Sequence, residues 1–418
     1  MQEFEYLGAA IRAARLRRGW SQDRLAGEVI AASPGVDALE QATVSKWERG
    51  DHLPRVEFRP GLRQLLGGQV ARLLDVVEGL LPSQARGEVR ALAETAGSEA
   101  VELARLVEAS TIAAGTLEML DESVDRLARD YPHSRPEVLI PRVTRRLRYV
   151  TQLLETRVTL RQRRHLVVDG GWLALLLAVL QFDGGDQSAA EASRDAAFQL
   201  GREGGHEELM AWTHELSAWF ALVEGAYPRV VDYARAGRNL APGTSAGVQL
   251  AVQEAKAWAR LGDRRRAEEA MRTGGAALAR LPTPAHPDHH FVFDRSKLSF
   301  YTATVYVWLG VLDQAEEHAL HVIDQCTIGD GIGRWPTRLT VAHIDLGLIA
   351  ARRGEYAEAA ERGLLALGSG RVVSSTLEWV SELDGALSSC QGEVREAREF
   401  HERYVTARRT GGATRPGE

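Results

Sequence analysis

Only two cysteines occur in the 418 residues, Cys326 and Cys390. Neither has a partner at disulfide-framework or zinc-ligand spacing, which excludes a disulfide scaffold and a cysteine-built metal site. Aromatic residues are scarce at 6%, while Ala, Leu, Arg, Glu and Gly abound. That mixture favours helices over β-sandwiches, because strands draw on Val, Ile, Thr and aromatics. An excess of positive charge is also lacking, with 51 Lys and Arg against 57 Asp and Glu. A protein that coats nucleic acid non-specifically is thereby excluded, and any DNA contact must come from a local patch. The start, MQEFEYLGAA, has neither the basic end nor the apolar run of a secretory signal. The most apolar run, Gly171 to Phe182, is bounded by Asp169 and Asp183 and is too short to span a bilayer. It reads as a buried core helix, and the chain is expected in the cytoplasm with reduced thiols and no membrane partner.

Catalytic signatures are missing as well. There is no Walker A string, no HExxH and no GxSxG, and nothing orders Ser, Asp and His into a triad. GDGIG around Gly331 follows a helix rather than a strand, so it lacks the setting of a dinucleotide site. His286, His289 and His290 lie in a Pro-rich stretch with no cysteine near, and they read as a long loop between repeats of the kind that borders a ligand groove. His318 and His321 read as helix surface. No catalytic residue, cofactor or metal ligand is assigned, and the chain is not read as an enzyme.

What is present begins with a short helical bundle. Residues 4 to 18 put Leu7, Ile11 and Ala14 on one helical face, with arginines elsewhere, and Gly19 ends the helix. Ser21 is an N-cap for a second helix, Gln22 to about Ile30, with Leu25, Ala26 and Val29 as its apolar points. AASPGVDA is a loop, and a third helix runs from about Leu39 to Arg49, closed by Gly50. The turn DHLP leads into one or two further short helices over residues 61–80. Val44 and Trp47, spaced i, i+3, should face a core with Leu25 and Leu7. Gln41, Ala42, Thr43, Ser45 and Lys46 then lie on the open side, where side chains reach base edges in a major groove.

Taken together, Ser21-Gln22, Trp47-Glu48-Arg49-Gly50 and Pro54 resemble the helix-turn-helix domain of the Xre/Cro/C1-repressor family. The resemblance implies sequence-specific DNA binding, with Gln22 holding a backbone phosphate at a helix N-terminus. Arg12, Arg15, Arg18 and Lys46 are candidates for further phosphate contacts. Charge over residues 1–60 is balanced, with nine basic residues against nine acidic ones. The link IAASPGVDALE exceeds the family's usual turn, which leaves Glu40 and Gln41 as alternatives for the first base-reading residue.

Beyond about residue 84 the pattern is helix after helix, with five degenerate repeats. Their turn glycines, Gly185, Gly225, Gly262, Gly310 and Gly354, lie 40, 37, 48 and 44 residues apart. The clearest copy, with Leu346, Gly347, Gly354, Tyr356, Ala359 and Ala366, resembles the tetratricopeptide repeat. Stacked helical hairpins of that kind share a continuous core and form a concave groove. Trp212, Trp219, Tyr227, Tyr233, Trp258, Tyr301, Tyr306 and Trp308 read mostly as core, with a few as candidates to bind a peptide or an apolar small molecule. Nine arginines between Arg135 and Arg164 follow an acidic stretch over 88–130, and the two read as paired with each other or solvated.

The expected architecture is therefore all-α, a small helix-turn-helix bundle followed by a tetratricopeptide-like α-solenoid. Residues 1–82 form the DNA-binding domain with a connecting helix, 83–165 a helical linker or the start of the array, 166–409 the repeats and 410–418 a disordered tail. The whole, with ARDYP at 128–132, resembles actinobacterial regulators that join an Xre-type domain to such an array. That implies a homodimer on a pseudo-palindromic operator in double-stranded DNA. It also implies a peptide, small-molecule or protein signal received in the repeat groove. The competing reading is an interaction scaffold whose N-terminal domain is a docking module.

Overall fold

A computed structural model describes residues 2–33, 35, 38–77, 110, 112, 115–327, 335–368 and 371–409. Among these residues there are nineteen α-helices and no β-sheet, so the fold is all-α. The expected tail 410–418, the GDGIG segment, residues 78–109 and the acidic side chains Glu94, Glu99 and Glu102 lie outside the described residues. The chain divides into two compact units, residues 1–109 and 110–418.

The first unit holds α1 (Gln2–Arg17), α2 (Gln22–Ala31), α3 (Gln41–Glu48), α4 (Arg59–Leu66) and α5 (Gly68–Val77). Ser21 Oγ accepts from Arg24 N at 3.0 Å, the N-cap its position suggested. Leu7, Ile11, Leu25, Val29, Val44 and Leu62 are fully buried together, and Trp47 packs on Phe58 with ring centroids 5.3 Å apart. Gly8 is where α1 crosses the end of α3. A Cβ there would sit 2.3 Å from the Trp47 carbonyl oxygen, so no larger residue permits the approach. Over residues 59–77 the chain forms two helices, broken where Gly67 and Gly68 take positive φ.

The second unit opens with α6 (Thr116–Asp130) and α7 (Pro136–Glu155), within the stretch expected as a helical linker or the start of the array. Six helical hairpins follow. They pair α8 (Leu160–Asp183) with α9 (Gln187–Gly204), α10 (Glu207–Val223) with α11 (Tyr227–Leu240), and α12 (Ser245–Arg260) with α13 (Arg264–Leu278). The remaining pairs are α14 (Arg295–Leu309) with α15 (Leu312–Cys326), α16 (Pro336–Arg353) with α17 (Tyr356–Leu367), and α18 (Ser374–Leu387) with α19 (Arg395–Arg409). The five glycines picked from the sequence each terminate the first helix of a hairpin, at φ between +75° and +84°. That left-handed conformation costs glycine nothing and an L side chain about 1 kcal/mol or more.

The first helices of successive hairpins touch in the order α8, α10, α12, α14, α16, α18, and α18 returns to touch α8. The array therefore closes on itself, and the expected concave groove becomes a partly open cavity within it. The closure is polar. Asp183 Oδ2 accepts from Tyr131 Oη at 2.7 Å and from Arg371 at 2.9 Å, and Asp183 Oδ1 accepts from Ser375 Oγ at 3.1 Å. Arg371 also donates to the Ser134 carbonyl and to Thr337, and stacks 4.4 Å from the Tyr131 ring. A second bridge, Arg260 to both carboxylate oxygens of Glu382, ties α12 to α18.

The apolar run read as too short to span a membrane belongs to α8, a helix of 24 residues. It alone among the described helices has the length and apolarity to cross a membrane, and 67% of its most apolar stretch is buried inside the array. It extends further than the bounding aspartates suggested because Asp169 and Asp183 are themselves buried within it.

Two stability outcomes follow from these contacts. Arg371→Leu strands the Asp183 carboxylate without its cation and should cost the array about 3–5 kcal/mol. Urea unfolding followed by hydrogen exchange in α8 and α18 reads the loss, and wild-type protection would mean that apolar contacts alone hold the ring. In the first unit, Gly8→Ala should cost about 1–3 kcal/mol by overpacking. Gly27→Ala, where a Cβ meets nothing within 4 Å, should instead stabilise α2 by up to about 1 kcal/mol. Hydrogen exchange of α1–α5 in the full chain separates the two.

Candidate functional site

Helix α3 presents two faces. Val44, Trp47 and Glu48 point inward, Gln41, Ala42 and Lys46 are exposed, and Thr43 and Ser45 are half-buried. The helix opens at Gln41, two residues later than read from the sequence, because Glu40 is extended and offers no side-chain cap. Glu40 thus lies before the helix, and Gln41 is its first residue.

The underside of α3 is held by a polar chain. Glu48 Oε1 accepts from Arg15 Nε at 2.6 Å, and Glu48 Oε2 accepts from Arg15 Nη2 at 3.0 Å and from Gln22 Nε2 at 2.7 Å. Gln22 Oε1 in turn accepts from Gln41 Nε2 at 2.9 Å. Gln22 therefore joins α2 to both ends of α3 and sets where the exposed face of α3 lies. Arg15 was expected on the surface against a phosphate, and here the geometry corrects the sequence reading. Its side chain is only 9% exposed, the Glu48 hydrogen bond raises its pKa further, and its remaining nitrogen donates to the Trp20 carbonyl at 2.7 Å. The physical reason is Glu48, a carboxylate buried at the end of α3 that needs a counter-charge. Arg12 and Arg18 are exposed, the latter also donating to the Ala14 carbonyl at 3.1 Å.

The second site is the cavity inside the ring, with about 980 Å³ of empty space that includes its opening to solvent. Trp212, Trp219, Phe300, Tyr301, Trp335 and Trp379 supply its apolar wall. Of the eight aromatics singled out from sequence, Trp212, Trp219 and Tyr301 face this space. Tyr227, Tyr233, Trp258, Tyr306 and Trp308 pack between helices. The loop carrying His289 and His290 folds in against the cavity rather than merely bordering it. His290 packs at a tilt on Tyr131 with ring centroids 4.1 Å apart, and burial holds it neutral, well below the ordinary histidine range. Burial likewise pushes His289 down to about 4.

Among the polar groups that line the cavity, four converge from two adjacent helices. Gln249, Gln253 and Lys256, spaced i, i+4, i+7, share one face of α12, and Glu215 faces them from α10. Both glutamine side-chain nitrogens donate to Glu215 Oε1, at 3.1 and 2.7 Å. Burial pushes the Glu215 carboxyl up and the Lys256 ammonium down to about 8. The Lys256 ammonium lies 5.2 Å from the Tyr301 ring, 5.3 Å from Trp379 and 6.0 Å from Trp308. Lys297, pushed down to about 7 by burial, is instead satisfied by the His290 and Val292 carbonyls. None of these charged residues was singled out from sequence, yet the polar stripe on an otherwise Ala/Val helix was a readable signal.

Among the described residues one group of side chains converges at metal-ligand range. Asp121 on α6 and His165 and Asp169 on α8 each place a ligand atom within 4.8 Å of the others. His165 Nε2 already pairs with Asp121 at 2.6 Å, and burial with Asp121 beside it raises Asp169 to about 7. The sequence reading had looked for metal ligands only at the 286–290 histidines, and the 44-residue gap between Asp121 and His165 hid this group. Arg142 of the arginine-rich stretch pairs with Asp130 at 2.7 Å, as that reading anticipated for one of the nine.

The chain matches no protein-family model and no curated protein. Among solved structures it is similar to the apo form of the competence regulator ComR from Streptococcus vestibularis. The two are 11% identical over 93% of this chain and 98% of that one, with a TM-score of 0.30. A likeness of that size carries no argument about function.

Asp345, on α16 close to Lys256, gives the array a pH signature. It is buried, accepts from Thr304 Oγ1 at 2.8 Å, and is pushed up to about 7 chiefly by burial. The folded state thus binds a proton that the unfolded chain releases above pH ~4. Stability from this group is complete at low pH and is lost as pH rises through 7. Asp345→Asn should match wild type near pH 4 and melt several degrees higher by pH 8. A gap that does not grow with pH would show that Asp345 is ionised in the folded chain throughout.

Proposed function

We propose that the chain is a sequence-specific DNA-binding transcriptional regulator of the cytoplasm, in which the first unit reads the operator and the helical array receives the signal. The observation that carries the reading is the exposed face of α3, with Gln41, Ala42 and Lys46 open and Thr43 and Ser45 beside them. A short helix whose underside is locked by Trp47, Glu48 and Gln22 is what insertion into a major groove requires. Arg12 on α1 and Arg18 just after it, both exposed, supply phosphate contacts, and Lys46 adds another from α3. Arg15 is withdrawn from that set, and Gln22 acts by positioning α3, with its amide committed within the unit. One recognition helix of eight residues gives weak discrimination. The working form is therefore a homodimer on a pseudo-palindrome, with half-sites about 34 Å apart. The closed array, with its aromatic and charged cavity, is the receptor for an effector rather than a catalytic centre.

Thr43→Ala and Lys46→Ala test the assignment on a duplex selected from random sequence by the full-length chain. Both side chains lie on the outer face, so both variants should fold. Thr43→Ala should cost about 1–3 kcal/mol and relax the preference at one base position. Lys46→Ala should weaken all sequences alike and lower the salt dependence by about one counterion. Unchanged affinity and salt slope in both would remove α3 as the reading helix.

A further inference from the structure

The cavity holds two opposite charges, Glu215 and Lys256, that no direct ion pair joins. Glu215 uses one oxygen for both glutamines, and its Oε2 meets no donor among the described residues. The Lys256 ammonium meets rings but no acceptor, and no ion pair joins it to Glu215. Around them, the side-chain oxygens of Gln249 and Gln253 and the indole nitrogen of Trp212 also lack hydrogen-bond partners. Buried polar groups are normally satisfied, and each buried orphan costs roughly 1–3 kcal/mol, so three of them beside two unpaired charged groups describe the complement of something that binds there. The arrangement has a polarity. Three acceptors gather at the Glu215 end, and the Lys256 ammonium lies one turn beyond Gln253 on the same face of α12.

We propose that this cavity binds a small zwitterion of amino-acid type, bearing an ammonium, a carboxylate and a flat apolar side group. The ammonium sits against Glu215 Oε2 and the two glutamine oxygens, where a cation with several N–H donors satisfies all three acceptors. The carboxylate takes Lys256. The flat group lies along the Trp219, Phe300 and Trp335 wall. A neutral apolar ligand would fill the same volume and leave every one of these polar atoms unpaired. A simple organic anion would answer Lys256 and leave the Glu215 end exposed to desolvation. The closed ring limits the ligand to what the cavity holds. This inference rests on the reading of the array as a receptor, but it does not depend on the first unit binding DNA.

The test is isothermal titration of the full-length chain with L-phenylalanine and L-tryptophan. Their one-charge analogues serve as comparators: phenethylamine and tryptamine without the carboxylate, 3-phenylpropionate and indole-3-propionate without the ammonium. At least one amino acid should bind at one per chain, with both of its analogues weaker by roughly thirtyfold, the cost of leaving one buried charge unpaired. Lys256→Met should lower amino-acid affinity to that of the amine analogue and leave the amine itself unaffected. Glu215→Gln should do the same toward the acid analogue. That crossed pattern cannot come from a general loss of packing. Absence of amino-acid binding at millimolar concentration, or equal affinity for all three members of each set, overturns the proposal. Should either variant fail to fold, the wild-type comparison of the three ligands still decides. Operator affinity of the same protein reports separately on the regulator reading.

Discussion

The Asp183 carboxylate has no access to solvent, and its two oxygens take donors from Tyr131, Arg371 and Ser375. Those residues lie 52, 188 and 192 positions away in the chain. A stack of hairpins joined only to its neighbours has two free ends, each exposing an apolar helix face. Here the charged cluster spends those ends on one another. Desolvating a carboxylate and a guanidinium is costly unless every lone pair and proton is met, and the cluster comes close to meeting that demand. Closure also determines what the array encloses. With α8 and α18 apart, Glu215 and Lys256 would face water, where their charges need no partner. With the ring closed they face an apolar wall, and burial shifts both toward their neutral forms.

The first unit applies the same logic on a smaller scale. Glu48 is buried at the end of α3, takes a two-pronged ion pair from Arg15 and a further bond from Gln22, and so links three helices. The exposed face of α3 is free to vary because the buried face is held this firmly. Gly8 completes the arrangement by letting α1 lie directly on the carbonyls that end α3. In both units a carboxylate withdrawn from water fixes the place of an element whose other surface is open to a partner.

Local features of the fold were legible in the sequence. Apolar spacing placed α1 and α2, and Leu7, Ile11, Leu25, Val44 and Trp47 proved to be core. The five turn glycines marked five hairpins because a helix that stops in a left-handed conformation needs glycine at that point. The start of α3 was read two residues early, since Leu39 fits an apolar pattern while Glu40 breaks the helix locally. Arg15 was misplaced although its spacing of four from Ile11 put it on the apolar face. Charge was weighed above position there, and only Glu48, 33 residues on, explains its burial. The ring closure was out of reach for a related reason. It depends on contacts across more than half the array, between residue types that on their own look like surface. The cavity stripe on α12 lay between these cases: its periodicity was visible, but its meaning needed Glu215 and the aromatic wall in place.

The claim on which the account depends is that this chain finds specific DNA sites. Genome-wide footprinting of the tagged full-length protein in its own cells measures that directly. The account predicts a small set of discrete sites, each with two inverted half-sites about one helical turn apart. Uniform low-level coverage, or no enrichment over an untagged control, would contradict it.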